Sequence, residues 1–160
     1  MTTRSGPRKR QPTVPLPALL TQVRDIAMGG LHQRLADEGF DGIRYVHGSV
    51  FRFIDDEGSR LTTLAERSGL TKQAISELVG ELEDHGYVER IVDKADRRAK
   101  IIRLTDQGRL AQSAAARILA DVERRWSRLL GKDDVAVLRR ALEQVVALET
   151  ADTPPTSATP

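Results

Sequence analysis

Basic residues are concentrated in two short stretches of the chain that could bind a polyanion. Residues 1–10 hold four basic residues and no acidic one, and residues 89–103 hold six basic residues against three acidic ones. The formal net charge of the whole chain is only +2 at pH 7, so both stretches stand out from a nearly neutral body. Such patches favour contact with nucleic acid, although a solvated loop and a solubilising tail would give the same composition.

A helix-turn-helix is predicted immediately before the second basic stretch. Thr62 is expected to cap a short helix, which ends at a turn over residues 68–70. Thr71 is expected to cap a second helix, which runs to about His85 and ends at Gly86. Two short helices joined by a tight turn with glycine are typical of this DNA-binding motif.

The second basic stretch is itself predicted to form a β-hairpin. Residues 87–92 and 101–104 are rich in aliphatic side chains, whereas residues 93–100 form a polar, charged connection. A hairpin placed directly after a helix-turn-helix is a wing, so the sequence predicts a winged helix-turn-helix domain.

Helices on both sides of this domain make the expected fold mainly α with a small β wing. Apolar side chains recur there at spacings of three and four residues. The predicted helices cover 17–38, 43–54, about 106–130 with Thr105 or Asp106 as its cap, and a last stretch that begins at Asp133 or Asp134.

Four short motifs occur in the order and spacing of one known family. They are 70–76 (LTKQAIS), 82–90 (LEDHGYVER), 96–100 (DRRAK) and 104–108 (LTDQG). With these motifs the chain resembles the MarR family of winged helix-turn-helix transcriptional regulators over about residues 16–149. The resemblance implies binding to double-stranded DNA as a homodimer, in which the N-terminal and C-terminal helices of two subunits pair.

The apolar stripes of the first and last helices independently favour a dimer, because the winged-helix unit is too small to cover both. The residues expected at the dimer interface are Leu16, Leu19, Leu20, Val23, Leu138, Leu142 and Val145. The expected organisation is a disordered basic arm (1–14), a dimerisation helix and a linking helix (15–58), the winged helix-turn-helix domain (59–105), a long helix with a second dimerisation helix (106–149) and a disordered tail (150–160).

The start of the second helix of the motif is expected to face the major groove of DNA. Its polar residues are Thr71, Lys72, Gln73 and Ser76. Gln73 can bind N6 and N7 of adenine, Ser76 can bind a base or a phosphate, and Lys72 is expected to contact phosphate. Glu77 faces the same side, where relatives often carry a basic or neutral residue. It leaves the base preference open, because an acid could accept a hydrogen bond from cytosine N4 or repel phosphate.

The wing is expected to bind the minor groove. The resemblance implies that Arg98 enters this groove, that a salt bridge from Asp96 orients it, and that Arg97 contacts phosphate or the preceding helix. A narrow minor groove attracts arginine through its negative potential. Further phosphate contacts are expected from Arg90, Lys94 and Lys100.

The resemblance also implies a biological role. A two-fold symmetric dimer recognises a pseudo-palindromic operator with half-sites about one helical turn apart. The usual outcome in the family is repression that is relieved by a small-molecule effector, often phenolic or aromatic. Candidate effector-binding residues are Met28, His32, Arg44, His47 and Phe51, which would otherwise be ordinary packing or surface residues.

Other classes of function lack the residues that they require. The sequence has no cysteine, which excludes disulfides, thiolate metal sites and thiol redox sensing. The three histidines lack the spacing of a zinc site and no catalytic motif occurs, so we expect no metal, no cofactor and no enzyme. No signal peptide or membrane-spanning run is present, which favours a cytoplasmic protein without a membrane partner. The alternative to a DNA-binding regulator is a winged-helix adaptor that binds protein, although the arginines in the wing favour binding to DNA.

Overall fold

The computed structural model describes residues 13–93 and 96–151, and it is mainly helical with one small antiparallel sheet, which confirms the predicted fold class. The predicted basic arm and tail lie almost entirely outside the described residues. The elements are α1 (Leu16–Asp37), a 3-10 turn (Tyr45–His47), α2 (Gly48–Phe53), β1 (Ser59–Arg60), α3 (Leu61–Ser68), α4 (Lys72–Asp84), β2 (Val88–Val92), β3 (Lys100–Leu104), α5 (Asp106–Leu130) and α6 (Lys132–Ala151).

The chain divides into two compact units, one up to Ala115 and one from Ala116 onwards. The first unit contains the winged helix-turn-helix, built around a continuous apolar core. Leu64 of α3, Ile75 of α4 and Ile102 of β3 are each at most 1% exposed in this core. Because fully burying such a side chain contributes roughly 1.5–3 kcal/mol, the core fixes where α4 and the sheet lie.

The sheet has the strand order β1-β3-β2, and all its pairings are antiparallel. β2 and β3 form the predicted hairpin, in which Val88 pairs with Leu104 and Val92 with Lys100. The third strand, β1, was not predicted; its Ser59 pairs with Ile102 of β3. This hairpin is called the wing below.

The helix-turn-helix is present, with one correction to its first cap. α3 begins at Leu61, so Thr62 lies inside the helix and is not its N-cap residue. The reason is that β1 ends at Arg60 and the chain passes directly from the sheet into the helix. Gly69 ends α3 in the left-handed conformation (φ 69°), which a residue with a Cβ seldom adopts. The predicted cap of α4 is confirmed, since the Thr71 hydroxyl accepts the Ala74 N–H at 3.1 Å.

The second predicted helix is shorter than its apolar pattern indicates. Instead of one helix over 43–54, a 3-10 turn at Tyr45–His47 leads into α2 at Gly48–Phe53. Arg44 has an extended backbone (φ −109°, ψ 164°), which prevents an earlier helical start. The spacing of apolar residues does not reveal such a break in the helix.

The LTDQG motif joins the wing to α5 through three backbone contacts. The Thr105 hydroxyl accepts the Gly108 N–H at 3.0 Å and donates to the Gly86 carbonyl at 2.6 Å. The Thr105 N–H donates to the Tyr87 carbonyl at 3.1 Å. Thr105, one of the two predicted candidates, therefore caps α5 and also fixes its start to the beginning of the wing.

Apolar side chains are exposed on α1 of the first unit and on α6 of the second. Leu16 and Val23 of α1 are 65% and 44% exposed, and Val145 of α6 is 53% exposed. Among the predicted interface residues Leu19, Leu20 and Leu138 are exposed too, while Leu142 is half-buried. None of the described helices combines the length and hydropathy that crossing a membrane requires.

Candidate nucleic-acid interface

The start of α4 presents polar side chains at the surface. Lys72 and Gln73 are exposed, Ser76 is half-buried, and the hydroxyl of the exposed Thr71 is engaged in capping the helix. The Gln73 side-chain amide donates to Oε1 of Glu77 at 3.2 Å. The amide nitrogen of Gln73 is therefore turned towards Glu77, which leaves its carbonyl oxygen to accept a hydrogen bond from a base.

Arg90 lies on β2 of the wing, and its side chain contacts protein groups of α4. Its Nε donates to Glu83 at 3.0 Å, and its guanidinium approaches the Ser76 carbonyl at 3.5 Å. The side chain is only 28% exposed. These contacts attach the wing to α4, and the phosphate contact expected of Arg90 stays a prediction.

Among the described residues at the tip of the wing, the basic side chains of Arg97, Arg98 and Lys100 are exposed. Asp96 accepts the backbone N–H of Arg98 at 3.0 Å. The expected salt bridge from Asp96 to the Arg98 guanidinium is replaced by this contact, because a carboxylate two residues away closes a tight local turn most easily with the backbone. The Arg98 side chain is exposed. Lys94 lies outside the described residues.

Two ion pairs that sequence reasoning missed hold the wing, one near its base and one next to its tip. Arg103 donates to Glu89, directly opposite on β2, with Nε at 3.0 Å. Arg60 of β1 donates to the buried Asp93 with Nε at 3.0 Å, and this hydrogen bond raises the pKa of Arg60. The first pair joins the two strands of the hairpin, and the second joins β1 to the residue that follows β2, so the register of the sheet brings both pairs together. They order the hairpin behind its exposed tip.

An open cleft of about 260 Å³ lies between α1 and the 3-10 turn. It is lined by Arg24, Asp25, Met28, Gly29, His32 and Tyr45. The Arg24 guanidinium stacks over the Tyr45 ring at 5.8 Å, and the His32 ring meets that ring edge-on at 6.5 Å. The cleft is thus built around one exposed aromatic ring.

Two of the five predicted effector residues, Met28 and His32, line this cleft, and three lie elsewhere. Phe51 packs edge-on against the core residue Tyr87 at 6.3 Å. Arg44 and His47 both bind Glu81 of α4. Across the described part of the chain, no three histidine or carboxylate side chains group closely enough to hold a metal ion.

Comparison with known proteins agrees with this architecture. A profile of the MarR family matches residues 41–99, from the segment before the 3-10 turn to the tip of the wing. PetP, an HTH-type transcriptional regulator of Rhodobacter capsulatus, is 31% identical over 101 residues, which are 62% of this chain and 61% of PetP. The match thus spans about three fifths of the length of this curated relative. Residues 41–99 therefore match the MarR family, and the chain resembles members of this family in sequence and in fold.

Two structures of CouR show how widely the MarR-type fold extends along the chain. CouR from Rhodococcus jostii RHA1 bound to p-coumaroyl-CoA is 28% identical, with a TM-score of 0.61 over 81% of this chain and 90% of that one. The transcriptional repressor CouR bound to a 23-mer DNA duplex is 25% identical, with a TM-score of 0.66 over 82% and 92%. The similarity therefore includes helices outside the profile match.

The first unit contains one buried histidine, His47, whose protonation should destabilise the fold. His47 is 1% exposed, and burial lowers its pKa despite the hydrogen bond to Glu81; Arg44 and His85 lower it further. A histidine whose pKa is lowered on folding binds its proton more readily in the unfolded chain. Its contribution to stability is therefore complete above the unfolded pKa of about 6.5 and is lost as the pH falls through the folded pKa.

We expect the free energy of unfolding to fall by up to about 1.4 kcal/mol per pH unit on acidification from roughly pH 6.5 to 5.5. Urea unfolding at a series of pH values measures this slope. His47→Gln should flatten it, because glutamine can still donate to Glu81 but does not titrate. His32→Gln should keep it, because His47 is still present. The same slope in both variants would contradict this role of His47.

Proposed function

We propose that the chain is a homodimeric, sequence-specific regulator of transcription that binds double-stranded DNA and acts as a repressor released by a small molecule. The observation that carries this proposal is the combination of an α4 N-terminus with exposed Lys72 and Gln73 and a wing tip with exposed Arg97, Arg98 and Lys100. Helix N-termini and arginines are the groups by which such motifs bind the major groove, phosphates and the minor groove. The structure of CouR bound to a DNA duplex supports the proposal, because CouR is similar to this chain.

The partners of the acidic residues on α4 remove one objection to DNA binding. Glu77 accepts a hydrogen bond from Gln73, Glu81 is bound by Arg44 and His47, and Glu83 pairs with Arg90. A carboxylate with a cationic partner repels phosphate less than an isolated one, which applies to Glu81 beside Arg44 and to Glu83 beside Arg90. These two carboxylates are therefore compatible with docking of α4 on a duplex, whereas Glu77 has only a neutral partner.

The dimer is proposed from the exposed apolar faces of α1 and α6. Side chains such as Leu16 and Val145 are more than half exposed, and contiguous apolar faces of this kind are covered in a stable protein. A second copy of the chain would cover them with two-fold symmetry. Two copies would also present two α4 helices and two wings to a pseudo-palindromic operator.

The proposal is tested by binding of the full chain to a labelled duplex from upstream of its own coding sequence and to a random duplex. We expect the free protein to have twice the mass of one chain by light scattering. We expect the affinity to fall linearly with salt on a double logarithmic plot, with a slope of about −0.9 per phosphate contact. A monomer, or a chain that binds neither duplex at about 50 mM salt, would contradict the proposal.

The small molecule is proposed to be a phenolic aromatic compound that occupies the cleft at Tyr45. Arg24 already donates two hydrogen bonds to Asp25, at 2.9 and 3.0 Å, so the cleft is close to neutral. An aromatic ring can stack on Tyr45, and His32 can exchange a hydrogen bond with a hydroxyl group. CouR, whose structure contains p-coumaroyl-CoA, supports an aromatic ligand.

Calorimetric titration with p-hydroxybenzoate and p-coumarate tests the cleft. Tyr45→Ala should weaken binding by about 2- to 10-fold, because an aromatic pair contributes roughly 0.5–1.5 kcal/mol. Tyr45→Phe keeps the ring and serves as the matched control. Equal affinities of the two variants would place any ligand elsewhere.

A further inference from the structure

One carboxylate in the middle of α4 is bound by two residues from the segment before α2. Nε2 of His47 lies 2.7 Å from Oε2 of Glu81, and the Arg44 guanidinium contacts the same oxygen. These partners are 34 and 37 residues before Glu81 in the sequence. The cluster therefore ties two elements of the first unit together.

The hydrogen bonds of His47 fix both the orientation of its ring and the position of its proton. Nδ1 accepts the backbone N–H of Arg44 at 3.0 Å, so the proton of the neutral ring is on Nε2 and is donated to Glu81. With 1% exposure and both ring nitrogens engaged, His47 has little freedom to turn. It acts as a rigid connection between the 3-10 turn and α4.

The same short turn forms a wall of the cleft. Tyr45, whose ring lines the cleft, lies between Arg44 and His47, and the turn contains only three residues. A displacement of Tyr45 in so short a turn must change the position of one or both neighbours. The cleft and α4 are thus joined by one turn and one carboxylate.

We propose that Arg44 and His47 are positioning residues that hold α4 through Glu81 and that transmit changes at Tyr45 in the cleft to this helix. The proposal rests on the proposed function, in which α4 enters the major groove. A helix is stiff along its axis, so a shift at Glu81 reaches Gln73, about 12 Å away along the axis at 1.5 Å per residue. The turn then supplies a route by which a ligand in the cleft changes DNA binding.

A double-mutant cycle on the free, full-length protein tests this connection without a ligand. Tyr45 is 55% exposed and the Glu81 side chain 43%, so substitution of either should leave the chain folded. The readout is amide hydrogen exchange of residues 75–84 in α4. Tyr45→Ala should speed this exchange by about 2- to 30-fold, the range of energetic coupling seen between linked sites. In a Glu81→Ala background, Tyr45→Ala should have no further effect.

Glu83→Ala is the matched control, because Glu83 lies on the same helix and pairs with Arg90 instead. Tyr45→Ala should still speed exchange in that background. Glu81→Gln keeps an acceptor for His47 and loses the charge that binds Arg44, so it should give an intermediate response. This variant provides a second test if Glu81→Ala does not fold. Additive effects of the Tyr45 and Glu81 substitutions would overturn the proposal, since sites that act independently of each other give additive effects.

Repeating the cycle with DNA affinity separates this proposal from the proposed function. Tyr45→Ala should change the affinity for the specific duplex in the wild-type background and not in Glu81→Ala. Non-additive effects of the two substitutions on hydrogen exchange, in a protein that binds no specific duplex, would support the link between Tyr45 and α4 and refute the DNA role. Additive effects on exchange, in a protein that binds DNA specifically, would refute only the link between Tyr45 and α4.

Discussion

Replacing Arg98 with glutamate should lower the affinity for the specific duplex by about 100-fold or more, since losing a charge-assisted contact in each wing costs roughly 1.5–3 kcal/mol and a reversed charge adds repulsion. Arg98 is exposed at the wing tip. Its backbone N–H is held by Asp96 at 3.0 Å, so the turn should persist when the side chain changes. The loss would then be one of DNA contact and not of folding.

The measurement is fluorescence anisotropy with the specific duplex over a salt series. Arg98→Lys should retain part of the affinity, because it keeps the charge but lacks the planar guanidinium that suits a narrow groove. Arg128→Glu, an equal change of charge at an exposed position of α5, should leave the affinity nearly unchanged. Equal losses in Arg98→Glu and Arg128→Glu would show that only the net charge matters, which would contradict a specific role of the wing.

Replacing Gly108 with alanine should destabilise the protein by roughly 1–3 kcal/mol or more, as an overpacked core site does. A Cβ at this position would lie 2.0 Å from the Tyr87 carbonyl oxygen and 3.2 Å from a methyl of Leu104. That oxygen also accepts the Thr105 N–H at 3.1 Å, so moving it would disturb the cap of α5. A backbone atom cannot turn aside as a flexible side chain can, so the segment as a whole must shift.

Denaturant unfolding of Gly108→Ala and Gly80→Ala measures this effect against a matched control. Gly80 lies in α4, and a Cβ there would meet nothing within 4 Å. We therefore expect Gly80→Ala to be neutral or to stabilise by up to about 1 kcal/mol, because alanine favours a helix over glycine. A Gly108→Ala variant as stable as the wild type would mean that Tyr87 and α5 are not in this close contact.

The parts of the fold that short-range signals determine could be predicted from the sequence. The Thr71 cap, the Gly69 turn and the alternating strands of the wing each depend on residues within a few positions, and α4 and the hairpin were found where expected. β1 could not be predicted in this way, because two residues form a strand only where β3 is available as a partner. The same limit explains the error at Thr62. It was predicted to cap α3 because β1, which ends directly before this helix, was not predicted.

The chemical roles of charged residues were harder to predict than their positions. Arg44 and His47 have the residue types of a ligand site, yet their partner is Glu81, more than thirty positions later in the chain. Arg90 has the charge of a phosphate contact, yet Glu83 holds it. In each case the partner is a carboxylate on α4, and residue type alone does not distinguish a protein partner from a ligand.

Selection of binding sites from a pool of random-sequence duplexes by the full-length protein tests the central claim most directly. We expect enrichment of a pseudo-palindrome with two half-sites about one helical turn apart, and protection of about two turns of DNA in a footprint. Enrichment should be lost in Arg98→Glu and retained in Arg128→Glu. A wild-type protein that leaves the pool unchanged over several rounds at low salt would contradict sequence-specific DNA binding and favour a winged-helix adaptor that binds protein.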